Sequence, residues 1–507
     1  MRLSTPLTVG RAFLAAPKLV GVLASEGGTA RHAAAVAAIA LLVACATNPA
    51  TGRRQINLMS EAQEISAGQE ADVQVKREMG IYNDPKLQEY VSGVGFRLAM
   101  LSERPNLPWH YSVVDAPAVN AFALPGGYIY ITRGILPFLQ NEAQLAGVLG
   151  HETGHVTARH SAQQYTRSIG GTIGLVALGI FVPSARPFGQ LAEQGLGVLF
   201  LKYGRGDELQ ADQLGARYAA RANWDPAGVP EMLGTLGRLD EASGSSKGVP
   251  NWLETHPEPL ARVKEIEPAV QQLKAGRTGF VRDPDAMLRA VDGLIYGDNP
   301  DQGIVRGASF LHPGLRLRID FPAGWDIQNS PDQVVAKAPG AEVYMLFEEV
   351  PMPRGGDIRT IAFGTMQDAG FRMASGDRTT INGLDAFVGM YQGQLQDGSN
   401  VGVRAAHIMH NGNVYMVAGF TAPTLFQQND AAFLASLRTF KPLTAAEAEN
   451  IHPNRVNLYV VRQGDSWQSI AERSGGVVKP STLAVMNGAE ASSPPQAGTR
   501  IKIVVGG

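Results

Sequence analysis

The residues best suited to chemistry in this chain are His151, Glu152 and His155, which form the pattern H-E-x-x-H within NEAQLAGVLGHETGHVTARH (141–160). On an α-helix, positions i and i+4 share a face one turn apart, so both imidazoles can reach one ion while the Glu152 carboxylate projects beside them. A zinc ion fits that geometry, and a catalytic zinc takes three protein ligands and keeps one position open for water. Downstream, ELQAD (208–212) offers Glu208 and, one turn later on the same helical face, Asp212. Taken singly, each is an ordinary surface carboxylate; joined to the histidines, Glu208 completes the ligand count. Asp212 is then placed to accept the other ring N–H of a liganding histidine, His151 above all, which fixes its tautomer and raises its basicity. The expectation is one zinc per chain.

Those side chains need two helices held close together. Asn141 is a good N-cap, Glu142 suits the positive end of the helix dipole, and the periodic stretch that follows predicts a helix through the motif. Gly147, Gly150 and Gly154 weaken it by about 1 kcal/mol each relative to Ala. Their spacing makes a stripe almost without side chains, along which a second helix can approach, and Ala211 and Gly215 beside Glu208 supply the matching small surface. Upstream, Ser60-x-x-Gln63 reads as a capping box, and Pro85 opens a helix whose Leu87, Tyr90, Val91, Val94 and Leu98 form a core stripe. Trp109–Val114 reads as a strand. NAFALPGG (120–127) followed by YIYIT (128–132) reads as a strand, a turn at 125–127 and a second strand.

The ordered set NAFALPGG (120–127), HETGH (151–155), ELQAD (208–212) and THP (255–257) resembles the bacterial periplasmic zinc endopeptidases of the BepA and LoiP kind, relatives of HtpX and the CAAX prenyl proteases. The likeness runs from about Asn48 to Val270. It implies a mainly helical metallopeptidase with a small sheet, in which His151, His155 and Glu208 hold zinc. Peptide bonds are then hydrolysed by a zinc-activated water, with Glu152 as general base. It also implies that Asn120, Ala121, Phe122 and Ala123 face the substrate as a strand edge that pairs with an extended peptide; a plain structural hairpin is the alternative. His256 is expected near the zinc, either as a resting fourth ligand or as a donor to the transition-state oxyanion.

A length of 507 residues predicts several domains. The net charge of −2 gives no field favouring nucleic acid, and 18% charged residues with 58 glycines describe a globular chain. Cys45, the single cysteine, excludes an intramolecular disulfide. It follows an apolar run, Ala33–Ala44, of signal-peptide length, and LVAC (42–45) resembles a lipobox. That resemblance implies a leader over 1–44, acylation of Cys45, a tether over 45–59 and anchoring to an outer membrane; an incidental cysteine behind an uncleaved anchor is the alternative. The apolar runs 169–182 and 195–201 are shorter than the ~20 residues of a membrane span and suggest a mobile cover over the site.

The metallopeptidase is expected over 60–280. Strand-rich runs at 315–321, 343–350, 400–410 and 413–420, with helices near 358–369 and 424–440, make 302–443 a separate α+β domain of unassigned role. The order YVVRQGDSWQSIA, LAVMNG, QAGTRIKI over 457–507 resembles a LysM domain, which implies a βααβ fold and peptidoglycan as a ligand, with 444–456 as its linker. The fold class is therefore multidomain α+β: a gluzincin-type metallopeptidase, an α+β domain and a βααβ unit. Two functions compete: an endopeptidase acting on misfolded or misassembled envelope proteins, and an assembly factor or chaperone that uses the same fold mainly to bind clients.

Overall fold

A computed structural model describes residues 45–57, 59–164, 203–243, 252–351, 356–395 and 398–507. The leader 1–44 and the apolar runs 169–182 and 195–201 lie outside the described residues. No helix among the described residues is long and apolar enough to cross a membrane.

The chain opens with a hairpin, β1 (Cys45–Thr47) against β2 (Arg54–Ile56). Within the tether expected over 45–59, Asn48 is buried and its Nδ2 donates to Ala158 O at 3.1 Å, which docks this residue beside the end of the histidine-bearing helix. Helix α1 (Glu61–Glu78) starts at the reciprocal Ser60–Gln63 capping box, and α2 (Pro85–Met100) at Asp84, which accepts from the Lys86 and Leu87 amides. Leu87, Val91, Val94 and Leu98 are buried as their spacing requires, whereas Val73 of α1 faces solvent.

Strands β3 (His110–Val114), β4 (Ala121–Leu124) and β5 (Tyr128–Thr132) form a sheet in the order β3-β5-β4, so β4 is an edge. Gly126 and Gly127 turn the chain between β4 and β5 with φ of 79° and 101°. Helix α3 (Glu142–Thr157) carries the histidine motif; the Asn141 side chain caps it by accepting from Gln144 N. Helix α4 (Arg205–Arg221) lies against it along the glycine stripe. A Cβ on Gly150 would stand 3.1 Å from Gly215 Cα, and one on Gly154 would stand 3.0 Å from Ala211 O. Helices α5 (Gly228–Ser243), α6 (Trp252–Thr255) and α7 (Pro259–Lys274) complete this helical body. Its core joins Val148, Leu149, Leu214, Tyr218, Trp224 and Val229.

Helix α8 (Pro284–Val291) and the short strand β6 (Ile295–Tyr296) lead on to a four-stranded sheet and a seven-stranded one. The first begins with β7 (Ile304–Arg306), β8 (Ser309–His312) and β9 (Leu317–Asp320). The second takes β10 (Asp326–Asn329), β11 (Gln333–Lys337) and β12 (Val343–Val350), and then, after α9 (Ile358–Asp368), β13 (Arg372–Ile381), β14 (Leu384–Gln394), β15 (Asn400–His410) and β16 (Asn413–Thr421). The order is β10-β11-β12-β16-β15-β14-β13, antiparallel throughout. Asn411 and Gly412, both at positive φ (52° and 84°), make the tight turn that the Asn-Gly pair predicts. Helix α10 (Pro423–Leu437) buries Phe433 and Leu437 on one face, and α9 buries Ile361 and Met366 on the other. Strand β17 (Lys441–Pro442) closes the smaller sheet beside β9.

The last unit runs β18 (Asn454–Val460), α12 (Trp467–Arg473), α13 (Pro480–Met486) and β19 (Arg500–Val505), a βααβ order. The expected linker 444–456 instead holds a helix, α11 (Ala445–Glu449), capped by Thr444, and the start of β18. Nor does the unit hang free. β18 pairs with β6, Phe138 and Leu239 join its core, and Lys502 Nζ donates to Leu139 O at 2.7 Å.

Candidate metal centre

Helix α3 delivers His151, Glu152 and His155, α4 delivers Glu208 and Asp212, and the loop between α6 and α7 delivers His256. One ligand atom each from His151, His155, Glu208 and His256 falls within 4.8 Å of the others, and all four side chains are buried. His155 Nε2 is 3.0 Å from His151 Nε2 and 3.4 Å from Glu208 Oε1. His256 Nδ1 is 3.3 Å from His151 Nε2 and 3.0 Å from Glu208 Oε1.

Hydrogen bonds outside the cluster decide which ring nitrogens are free. His151 Nδ1–H donates to Asp212 Oδ1 at 2.9 Å. His160 Nε2–H donates to Gln210 Oε1 at 2.7 Å, which leaves His160 Nδ1 to accept from His155 Nδ1–H at 2.9 Å. Burial lowers both His151 and His155, most strongly His155, so each ring is neutral with its one proton already committed to Nδ1. Two Nε2 lone pairs therefore face each other at 3.0 Å beside a carboxylate oxygen. That arrangement is repulsive by itself and favourable around a shared cation, so the donor set fits a divalent metal of the zinc type.

Glu152 stands apart from the ligands. Among the described residues both its buried carboxylate oxygens lack a hydrogen-bond partner, and His256 Nε2 lies 3.6 Å from Oε1. Burial pushes its carboxyl up to about 7, against the pull of His256. Burial disfavours the His256 imidazolium, but the Glu208 and Glu152 carboxylates outweigh it and hold the ring above its ordinary value.

Four neighbours carried no sequence signal of their own. His160 orients His155. Trp252 stacks on His256 with ring centres 4.0 Å apart, and Tyr203 stacks on His155 at the same distance. Arg262, from the first turn of α7, reaches Glu208 Oε2 at 2.6 Å and Asp212 Oδ1 at 2.7 Å. Asn120 lies just before edge strand β4, against which α3 packs; Asn120 O accepts from Thr132 N at 3.0 Å, and Phe122 stacks on Tyr130. Ala121 and Ala123 are buried within β4. Cys45 is the first residue of β1, distant in sequence from every one of these groups.

Residues 85–270 match Peptidase family M48. This M48 stretch contains every donor above. The chain is 30% identical over 238 residues to the "Beta-barrel assembly-enhancing protease" of Escherichia coli (strain K12), covering 45% of this chain and 48% of that protein. It is 33% identical over 225 residues to the "Mitochondrial metalloendopeptidase OMA1" of Schizosaccharomyces pombe, covering 43% and 64%. It is also 31% identical over 219 residues to the protein of that name in Arabidopsis thaliana, covering 41% and 43%. The chain thus spans about half the length of the curated bacterial relatives it matches.

Proposed function

We propose that this chain is a zinc-dependent endopeptidase of the bacterial cell envelope, hydrolysing peptide bonds of misfolded or misassembled envelope proteins. The observation that carries the reading is the pair of inward-facing Nε2 lone pairs on His151 and His155, with Glu208 completing the set and Glu152 beside it, without a hydrogen-bond partner among the described residues. His151, His155 and Glu208 would hold zinc, which when bound acidifies a water and polarises a carbonyl. Glu152, raised by burial and tied to no donor, takes the proton of the attacking water and returns it to the leaving amine. Asp212 and His160 keep the two imidazoles in their Nε2-donating tautomers. Edge strand β4, with Asn120 to Ala123, offers main-chain pairing to an extended peptide, which gives affinity without demanding one sequence.

His256 stands among the donors through Nδ1, which favours the resting fourth ligand over the oxyanion donor. Together with the burial of the whole cluster, it supports a second reading: an assembly factor that binds clients and cleaves only when His256 withdraws. The βααβ order of 454–505 supports a LysM-like glycan binder, and the lipobox-like LVAC supports an acylated Cys45 and an outer-membrane anchor.

The deciding experiment is metal analysis of the purified chain with a casein cleavage assay. One zinc per chain, with cleavage abolished by chelation and restored by zinc, is expected. A chain that takes up no zinc sinks the enzymatic reading, and zinc without cleavage favours the client-binding one.

A further inference from the structure

Three carboxylates share the buried centre, Glu152, Glu208 and Asp212, each with no exposed surface. Burying like charges together is costly unless cations and hydrogen bonds match them. Among the described residues, the fixed cation that touches two of them is Arg262, itself fully buried. Its Nε and Nη2 grip Asp212 as a fork, at 2.8 Å to Oδ2 and 2.7 Å to Oδ1, and Nη1 reaches Glu208 Oε2 at 2.6 Å. The same Nη1 reaches Pro257 O at 3.5 Å, next to His256.

The contact with Glu208 distinguishes its two oxygens. Oε2 is engaged by the guanidinium at 2.6 Å and lies 3.7 Å from His151 Nε2, while Oε1 has no guanidinium contact and lies 3.4 Å from His155 Nε2; His256 Nδ1 stands between them, 3.0 Å from Oε1 and 3.1 Å from Oε2. A carboxylate held in this way can give a metal one oxygen; released, it can give two and take up an additional coordination position. Lysine could supply the charge, but not a planar fork that spans both acids.

We infer that Arg262 is a positioning residue that locks Glu208 into one-oxygen coordination, keeping a coordination position free for the water or for His256. The inference rests on the zinc reading above and is separable from it. The test loads the full chain and its Arg262→Met and Arg262→Lys variants with cobalt(II), then records visible absorption, metal stoichiometry, metal affinity and steady-state kinetics. Four-coordinate cobalt absorbs several-fold more strongly than five-coordinate cobalt.

The wild type should give an intense band at one cobalt per chain. Both variants should keep that stoichiometry with affinity weakened about 10- to 100-fold. Their bands should weaken to the five-coordinate level, with kcat falling while KM holds. A wild-type spectrum in either variant overturns the inference, and recovery in Arg262→Lys alone shows that charge, not the fork, is what matters. Should Arg262→Met fail to fold, Arg262→Lys decides. A wild type that binds no cobalt removes the zinc reading itself.

Discussion

Glu152 and His155 lie three residues apart on one helix, yet their replacement should separate proton transfer from metal holding. Among the described residues Glu152 makes no hydrogen bond that Gln would lose, and it is not one of the converging donors. Glu152→Gln should therefore retain one zinc per chain while peptide cleavage falls about 100- to 10,000-fold, the usual worth of a positioned general base. His155→Ala should lose the metal as well, read by zinc content after dialysis. A Glu152→Gln protein that still cleaves casein at the wild-type rate would remove Glu152 from the chemistry. Much of this was legible in the sequence, because i and i+4 on a helix is a rigid relation and Glu208 with Asp212 repeats it. His160 was not, although it lies only five residues beyond His155. A straight helix would carry position i+5 off the face; here α3 ends at Thr157, and Arg159 at φ of 59° swings His160 back toward His155. Arg262 was hidden for another reason: a lone arginine has no pattern until α7 folds back over α4.

The separation of α3 and α4 sets where Glu208 and Asp212 stand relative to His151, so small residues between the helices tune the site. A Cβ on Gly215 would fall 2.8 Å from His151 N, against backbone that cannot step aside. Gly215→Ala should force the helices apart, costing about 1–3 kcal/mol of stability and weakening zinc. Exposed Gly93 of α2, whose Cβ would meet nothing within 4 Å, is the control, and Gly93→Ala should stabilise by about 0.5–1 kcal/mol with zinc unaffected. Equal zinc affinity in Gly215→Ala and the wild type would break the link from helix spacing to site. The glycine stripe was readable from spacing alone, and β12, β15 and β16 from their strand-rich runs. Strand β13 went unread because RMASGDRTTI is an exposed edge with almost no buried face. A second element-scale contact titrates. Lys502 of β19 is buried against the loop that leads into α3, and burial lowers its amine from 10.5 to about 7. Between those values the unfolded chain binds a proton that the folded chain does not, so stability should rise with pH from about 7 towards 10. Urea midpoints at pH 7.5 and 9.5 should show that rise in the wild type and a flatter response in Lys502→Met; identical slopes would mean that Lys502 stays charged in place.

At the scale of the whole molecule, what decides cooperativity is which cores share side chains. The M48 core runs into the C-terminal unit: Val456 belongs to the same buried cluster as Trp224 and Ile295, while Phe138 and Leu239 belong to that of Trp467, Leu483 and Val485. Strand β6 extends the sheet of β18 and β19, so the last strands are paired to chain that directly follows the helical body. The seven-stranded sheet, with α9 and α10, shares its buried clusters with the four-stranded sheet through Phe310, Leu317 and Ile319, and these clusters are built from residues 310–440. The turn before β7 is tied to the first body by Gln302 Nε2, which donates to Asp115 O at 3.3 Å, and the β10–β11 turn by Asp332, which lies 3.8 Å from Arg77 Nε. A chain read as three domains is therefore expected to unfold as two cooperative bodies, because the segment 454–505 shares a buried cluster with Phe138 and Leu239 of the first. Thermal unfolding should show two transitions. Phe138→Ala, which removes an aromatic ring from the shared core, should cost about 3–5 kcal/mol and lower the transition of the M48 body and the C-terminal unit together. Phe433→Ala should lower only the transition of the large sheet. Separate melting of the C-terminal unit in calorimetry of Phe138→Ala would mean that the shared core does not couple them.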